Sequence, residues 1–138
     1  MSDKRKVHAV GQTTVKTYEP RTFDEVAGAP ALNDIRMTET FTGDIEGDGI
    51  ARIVQATSQE GEATFVAIER VRGSLGSREG TFLLQVQGTV IGKDMKAEWF
   101  VVSRSGTGGL KGLRGDGGFR AKLGQHGSIW LDYDFEPE

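Results

Sequence analysis

Ala63-Thr-Phe-Val-Ala-Ile-Glu-Arg-Val-Arg-Gly-Ser-Leu-Gly-Ser-Arg-Glu-Gly-Thr-Phe-Leu-Leu-Gln-Val-Gln-Gly-Thr-Val90 decides the fold. Apolar residues recur at every second position, and β-branched and aromatic types dominate, so it reads as two long strands joined by a Gly/Ser turn. A turn over Gly76-Ser-Arg-Glu79 sets Leu75 opposite Gly80. Phe65, Ala67, Glu69 and Val71 then share a face with Phe82, Leu84, Val86 and Val90. The other face carries Val66, Ile68, Arg70 and Arg72 with Leu83, Gln85, Gln87 and Thr89. The first face is apolar except for one carboxylate, Glu69.

Outward from this hairpin the same alternation continues. Pairing Ile91 with Asp94 across Gly92-Lys93 brings Met95, Ala97, Trp99 and Val101 to the face of Phe82, Leu84 and Val86. Two independently chosen turns thus agree on one interior. Upstream, Lys6–Tyr18 reads as a first strand, and Glu19–Pro30, with two prolines and acidic residues, as a surface crossing. Ile35–Thr42 is a second strand with Ile35, Met37, Glu39 and Phe41 on one side, and Ile50–Thr57 is a third. Downstream, seven of the thirteen residues from Gly106 to Gly118 are glycine, which predicts a loop with Leu110 and Leu113 as plugs for a barrel end. Phe119, Ala121 and Leu123 begin a seventh strand, and Ile129, Leu131, Tyr133 and Phe135 are the inward side of an eighth. Eight antiparallel strands close into a barrel that removes exposed edges, its interior either filled or holding one small ligand. The expectation is one domain over residues 1–138, with residues 1–5 a flexible tail.

Composition narrows the function. A formal charge of −3 argues against nucleic acid as the main partner. Cysteine is absent, which excludes disulfides, thiolate metal sites and a cysteine nucleophile. The start, Met1-Ser-Asp-Lys-Arg-Lys6, is charged and no apolar run follows, so neither a secretory leader nor a membrane span is expected and the cytoplasm is the default.

The glycine-rich segment matches no phosphate-binding spacing, since Lys111 precedes Gly112 and no helix follows. Asp44-x-Glu46-x-Asp48-Gly49 resembles the front of a calcium loop, but its twelfth position is Gln55 and a turn is the better reading. His8 and His126 lie in no nucleophile or ligand pattern. No metal and no cofactor are predicted. What survives is the pair of carboxylates on apolar faces, Glu39 and Glu69. Burying either without a partner is costly, so each calls for an ion pair, a hydrogen bond or a proton. Arg36, Arg52, Arg70 and Arg114 are the candidate cations.

Phe41-Thr-Gly-Asp-Ile-Glu-Gly47, Phe65-Val-Ala-Ile-Glu-Arg-Val71, Gly80-Thr-Phe-Leu-Leu-Gln-Val-Gln-Gly-Thr89 and Ser105-Gly-Thr-Gly-Gly-Leu-Lys-Gly-Leu-Arg-Gly-Asp-Gly-Gly118 together resemble an uncharacterised bacterial family of domains of unknown function. Arg104 stands where that pattern suggests a proline. The resemblance implies an allene oxide cyclase-like, calycin-like barrel and a homo-oligomer; it implies no activity. The expected function is therefore binding of a small hydrophobic or amphipathic molecule inside the barrel. Glu39, Glu69, Trp99, Tyr133 and Met37 are the expected contacts. A lyase or isomerase with Glu69 as general acid/base is one alternative. Another is an assembly module that buries Val66, Ile68, Leu83, Phe100, Val102 and Trp130 between subunits.

Overall fold

A computed structural model describes residues 6–58, 60–122 and 124–137, and the expectations for residues 1–5 and Leu123 fall outside them. Eight strands run in order: β1 (Val7–Asp24), β2 (Ala31–Gly43), β3 (Ile45–Thr57), β4 (Ala63–Leu75), β5 (Arg78–Ile91), β6 (Asp94–Val101), β7 (Leu113–Lys122) and β8 (Gly127–Phe135). Each pairs antiparallel with its neighbours in sequence, and β8 returns to β1, closing the barrel. Phe65, Ala67, Glu69 and Val71 of β4 are buried with Phe82, Leu84, Val86 and Val90 of β5, as their alternation demands. The joining turn is tighter than expected. Leu75 pairs with Arg78, leaving Gly76-Ser77 as a two-residue turn with Gly76 at φ 61°, where an L side chain would be strained. The pairing therefore differs by two residues from the sequence reading, and a shift of two leaves every side chain on its face.

Besides the earlier starts of β2 and β3, at Ala31 and Ile45, two segments differ from expectation. β1 does not stop at Tyr18 but continues through Pro20 to Asp24. Only Val7–Thr13 pair with β8, so beyond Thr13 the strand has β2 on one side and a free edge on the other. A residue that cannot donate is tolerated on such an edge. A bulge lies between Val15 and Thr17. It switches the alternation, so that Tyr18 rather than Thr17 pairs opposite Met37.

The second difference is β7, which begins at Leu113 and runs through Gly115, Gly117 and Gly118. These glycines are strand residues because β7 and β8 approach closely: a Cβ on Gly117 would stand 2.1 Å from the Trp130 carbonyl oxygen. The preceding segment replaces a missing strand partner. β6 pairs only with Leu84–Ile91 of β5. Below that, Val102 N–H donates to Leu83 O (2.9 Å), Thr107 N–H donates to Thr81 O (2.9 Å), and Leu83 N–H donates to Ser105 Oγ (3.0 Å). Arg104 enters this loop at φ 65°, a conformation closed to proline.

The two barrel ends are unlike. A single 3₁₀ turn, Gly108–Leu110, drives Leu110 fully into the end formed by the β2–β3 and β4–β5 turns, where Ile45, Leu75 and Leu113 are also buried. That end is sealed, as the plug reading anticipated. No helix among the described residues is long and apolar enough to cross a membrane.

Candidate functional site

From the opposite end a cavity of about 260 Å³ enters the barrel. Tyr18, Lys122, Gly124 and Gln125 stand at its mouth. Its walls follow from the strand alternation: Phe65, Ala67 and Glu69 come from β4, while Val71 and Leu75 on the same face lie beyond its floor. Met37 and Glu39 contribute from β2, and Trp99 from β6.

Trp99 directs its indole N–H at the Trp130 carbonyl (3.1 Å), across the side-chain-free Gly117 of β7. That donor is satisfied, so Trp99 offers the cavity a ring face. Phe119 packs against it at 5.7 Å and against Phe65 at 6.4 Å, making one aromatic wall.

The floor holds both carboxyls. Glu39 pairs with Gly49 on β3, and Glu69 pairs with Ala51 on the other side of the same strand. Because the intervening β3 positions are glycine and alanine, the two side chains meet over them and hydrogen-bond to each other. Glu69 Oε2 lies over Gly49, where a Cβ would be 2.2 Å away. Thr13 of β1 donates a further hydrogen bond to Glu39, and its hydroxyl in turn rests against Gly127 of β8. Glu39 and Glu69 are 6% and 3% exposed.

Burial raises Glu69 well above the ordinary carboxyl value, and the adjoining Glu39 raises it further. Burial also raises Glu39, but the hydrogen bonds it accepts from Glu69 and Thr13 oppose the shift. Glu69 is therefore the carboxyl that keeps its proton longer, donating to Glu39 as the acceptor.

The sequence-predicted contacts Glu39, Glu69, Trp99 and Met37 thus line one cavity. Tyr133 does not: it packs edge-on against Phe135 (6.0 Å), with its hydroxyl beside Gly76 at the sealed end. Among the described residues no arginine reaches the carboxyls. Arg36 and Arg70 are exposed on the outer face, and Arg52 and Arg114 make two-point pairs with Asp34 and Asp134. The carboxyls are each other's partners.

Thr13, Gly49 and the Phe65–Phe119 wall were not singled out in the sequence. Thr13 had a signal, as a polar residue on the apolar side of β1. His8 and His126 lie outside the cavity, hydrogen-bonded to Asp132 and Thr14. Asp44 accepts from Val10 N–H and Asp48 pairs with Lys16. The turn is only Asp44, between β2 and β3; Glu46, Asp48 and Gly49 are strand residues of β3, the last two paired on both sides. Among the described residues no group of three or more His, Cys, Asp or Glu side chains is placed to hold a metal ion.

No curated protein matches this chain. A crystal structure of a protein of unknown function from Shewanella oneidensis MR-1, a member of the DUF3224 family, superimposes with a TM-score of 0.81 at 30% identity, covering 96% of this chain and 99% of that one. The profile described as "Protein of unknown function (DUF3224)" matches residues 9–133. By that match over most of its length, the chain belongs to the DUF3224 family.

Proposed function

We propose that the barrel binds a small, largely apolar molecule in its open end, with the carboxyl pair as the polar contact. One observation carries this reading: an apolar and aromatic cavity open at its mouth has two hydrogen-bonding carboxyls at its floor. A packed structural core would fill that space and would not place carboxyls in it. At ~30 Å³ per water-sized atom, the cavity suits a ligand of roughly nine non-hydrogen atoms. The allene oxide cyclase-like barrel that the sequence resemblance implies adds no chemistry to this reading.

The test is calorimetric titration of small aromatic probes into the wild type and into Ala67→Phe, whose ring would occupy the cavity. Binding lost in the variant supports the reading, and equal binding in both overturns it. Native mass spectrometry of freshly purified protein searches for a retained natural ligand. A lyase or isomerase would use the same pair differently, Glu69 exchanging a proton with the ligand. It would show turnover that Glu69→Gln abolishes while binding persists, whereas a carrier shows binding alone.

The outer face supports a second reading, homo-oligomeric assembly. Val54 and Val66 pair directly across β3 and β4, and Val66 is 56% exposed. Ile68 and Phe100 are exposed on the same side of the sheet, with Leu83, Val102 and Trp130 half-buried. Light scattering on the purified protein tests it, since a strict monomer excludes it.

A further inference from the structure

Given the binding reading above, on which this step rests, the charge at the cavity floor selects the class of ligand. Two adjoining carboxyls form the floor, and a cation brought to them holds the pair in its singly negative form. Among the described residues no cation stands beside them: the basic side chain lining the cavity, Lys122, is at its exposed mouth, with its ammonium 3.7 Å from Asp94. The other titratable group at the mouth is Tyr18. The floor is already withdrawn from water, with Glu39 6% and Glu69 3% exposed. Carboxyl oxygens facing such an enclosure find little water to bond, and a donor that a ligand brings to them is worth more there than in solvent.

We infer that the ligand is a small apolar, preferably aromatic, molecule ending in a basic amine. Its ring would lie along Phe65, Phe119 and Trp99, and its ammonium would meet the carboxyls. Three properties of the site converge on this class. An ammonium supplies several donors and no acceptor, which suits a floor rich in carboxyl oxygens. Its positive charge cancels the single negative charge of the pair, and a charge-assisted hydrogen bond outweighs a neutral one. A carboxylate of the same size would bring a second negative charge against the first in a low-dielectric enclosure, and is rejected.

A size-matched series tests the inference: 2-phenylethylamine, 2-phenylethanol and phenylacetate, titrated calorimetrically at neutral pH and moderate salt. The amine is expected to bind about tenfold tighter than the alcohol, the ratio by which charged hydrogen bonds exceed neutral ones, with phenylacetate the weakest. In Glu39→Gln/Glu69→Gln the floor is neutral and the preference for amine over alcohol should disappear. Glu69→Gln alone keeps one charge, because the amide stands in for the protonated acid, and should keep the preference. Should the double variant fail to fold, the wild-type series together with Glu69→Gln still decides.

If the alcohol binds as well as the amine, or phenylacetate binds best, the ligand class is wrong and the cavity reading survives. An amine preference unchanged in a folded double variant would overturn the role of the pair. If no probe binds, both the class and the cavity reading fall.

Discussion

Gly49 shows how one missing side chain sets the chemistry of the site. Its Cβ would stand 2.2 Å from Glu69 Oε2 and 2.9 Å from the Phe41 ring, so Gly49→Ala forces the Glu69 carboxyl off the strand and away from Glu39. We expect a loss of about 1–3 kcal/mol, the usual cost of overpacking or of an orphaned buried polar group, read from urea unfolding. A loss within experimental error would mean that the carboxyls meet by some route other than over Gly49. The pair also imposes a pH dependence. Both carboxyls are raised above their ordinary value of 4.5, so the folded protein binds protons more tightly than the unfolded chain. Their contribution is then most favourable below pH 4.5 and falls as pH rises from there through the raised folded values. Thermal melts of the wild type and of Glu39→Gln/Glu69→Gln should therefore diverge with pH, the wild type losing ground at the alkaline end. Parallel curves would show that neither carboxyl is raised in the folded protein.

At the scale of the strand, β7 was the hardest element to read and its glycines are the reason. Seven glycines in thirteen residues lack the side-chain alternation that identifies a strand, so the segment looked like a loop up to Gly118. What makes β7 a strand is its neighbours, through backbone approach to Trp130 and passage of the Trp99 indole. Neither is visible without the closed barrel. Similarly, the bulge after Val15 leaves no trace in composition, yet it decides that Tyr18 reaches the cavity mouth. The central hairpin was legible because alternation survives a two-residue change of pairing. Gly117→Ala tests the account of β7. A methyl group 2.1 Å from the Trp130 carbonyl must part β7 from β8 or expel the indole N–H from its acceptor. A cost of about 2–4 kcal/mol is expected, with a change in tryptophan emission as Trp99 moves. A variant of wild-type stability and emission would show that this approach is not needed.

For the molecule as a whole, the decisive property is that one end is filled and the other is not. Which face points inward could be read from the sequence, and so could two carboxyls on that face. That they would meet could not, because the encounter depends on barrel closure and on small residues in β3, the strand between them. Nor did alternation distinguish the ends, since Tyr133 shares the inward side of β8 with Ile129, yet only Ile129 lines the cavity. The asymmetry comes from Leu110, carried into one end by a segment outside the strand pattern and held there by Thr107 against β5. If Leu110 is the stopper, Leu110→Ala leaves a hole among Ile45, Leu75 and Leu113 that the strand framework cannot collapse to fill. Urea unfolding should then show about 2–5 kcal/mol less stability with little change in the denaturant slope, since the same surface is exposed on unfolding. Binding of the aromatic probes should persist, because the cavity lies beyond the carboxyl floor from Leu110. A loss below about 1 kcal/mol would place Leu110 outside the load of the fold, and a loss of binding with stability intact would mean that the two ends are not independent.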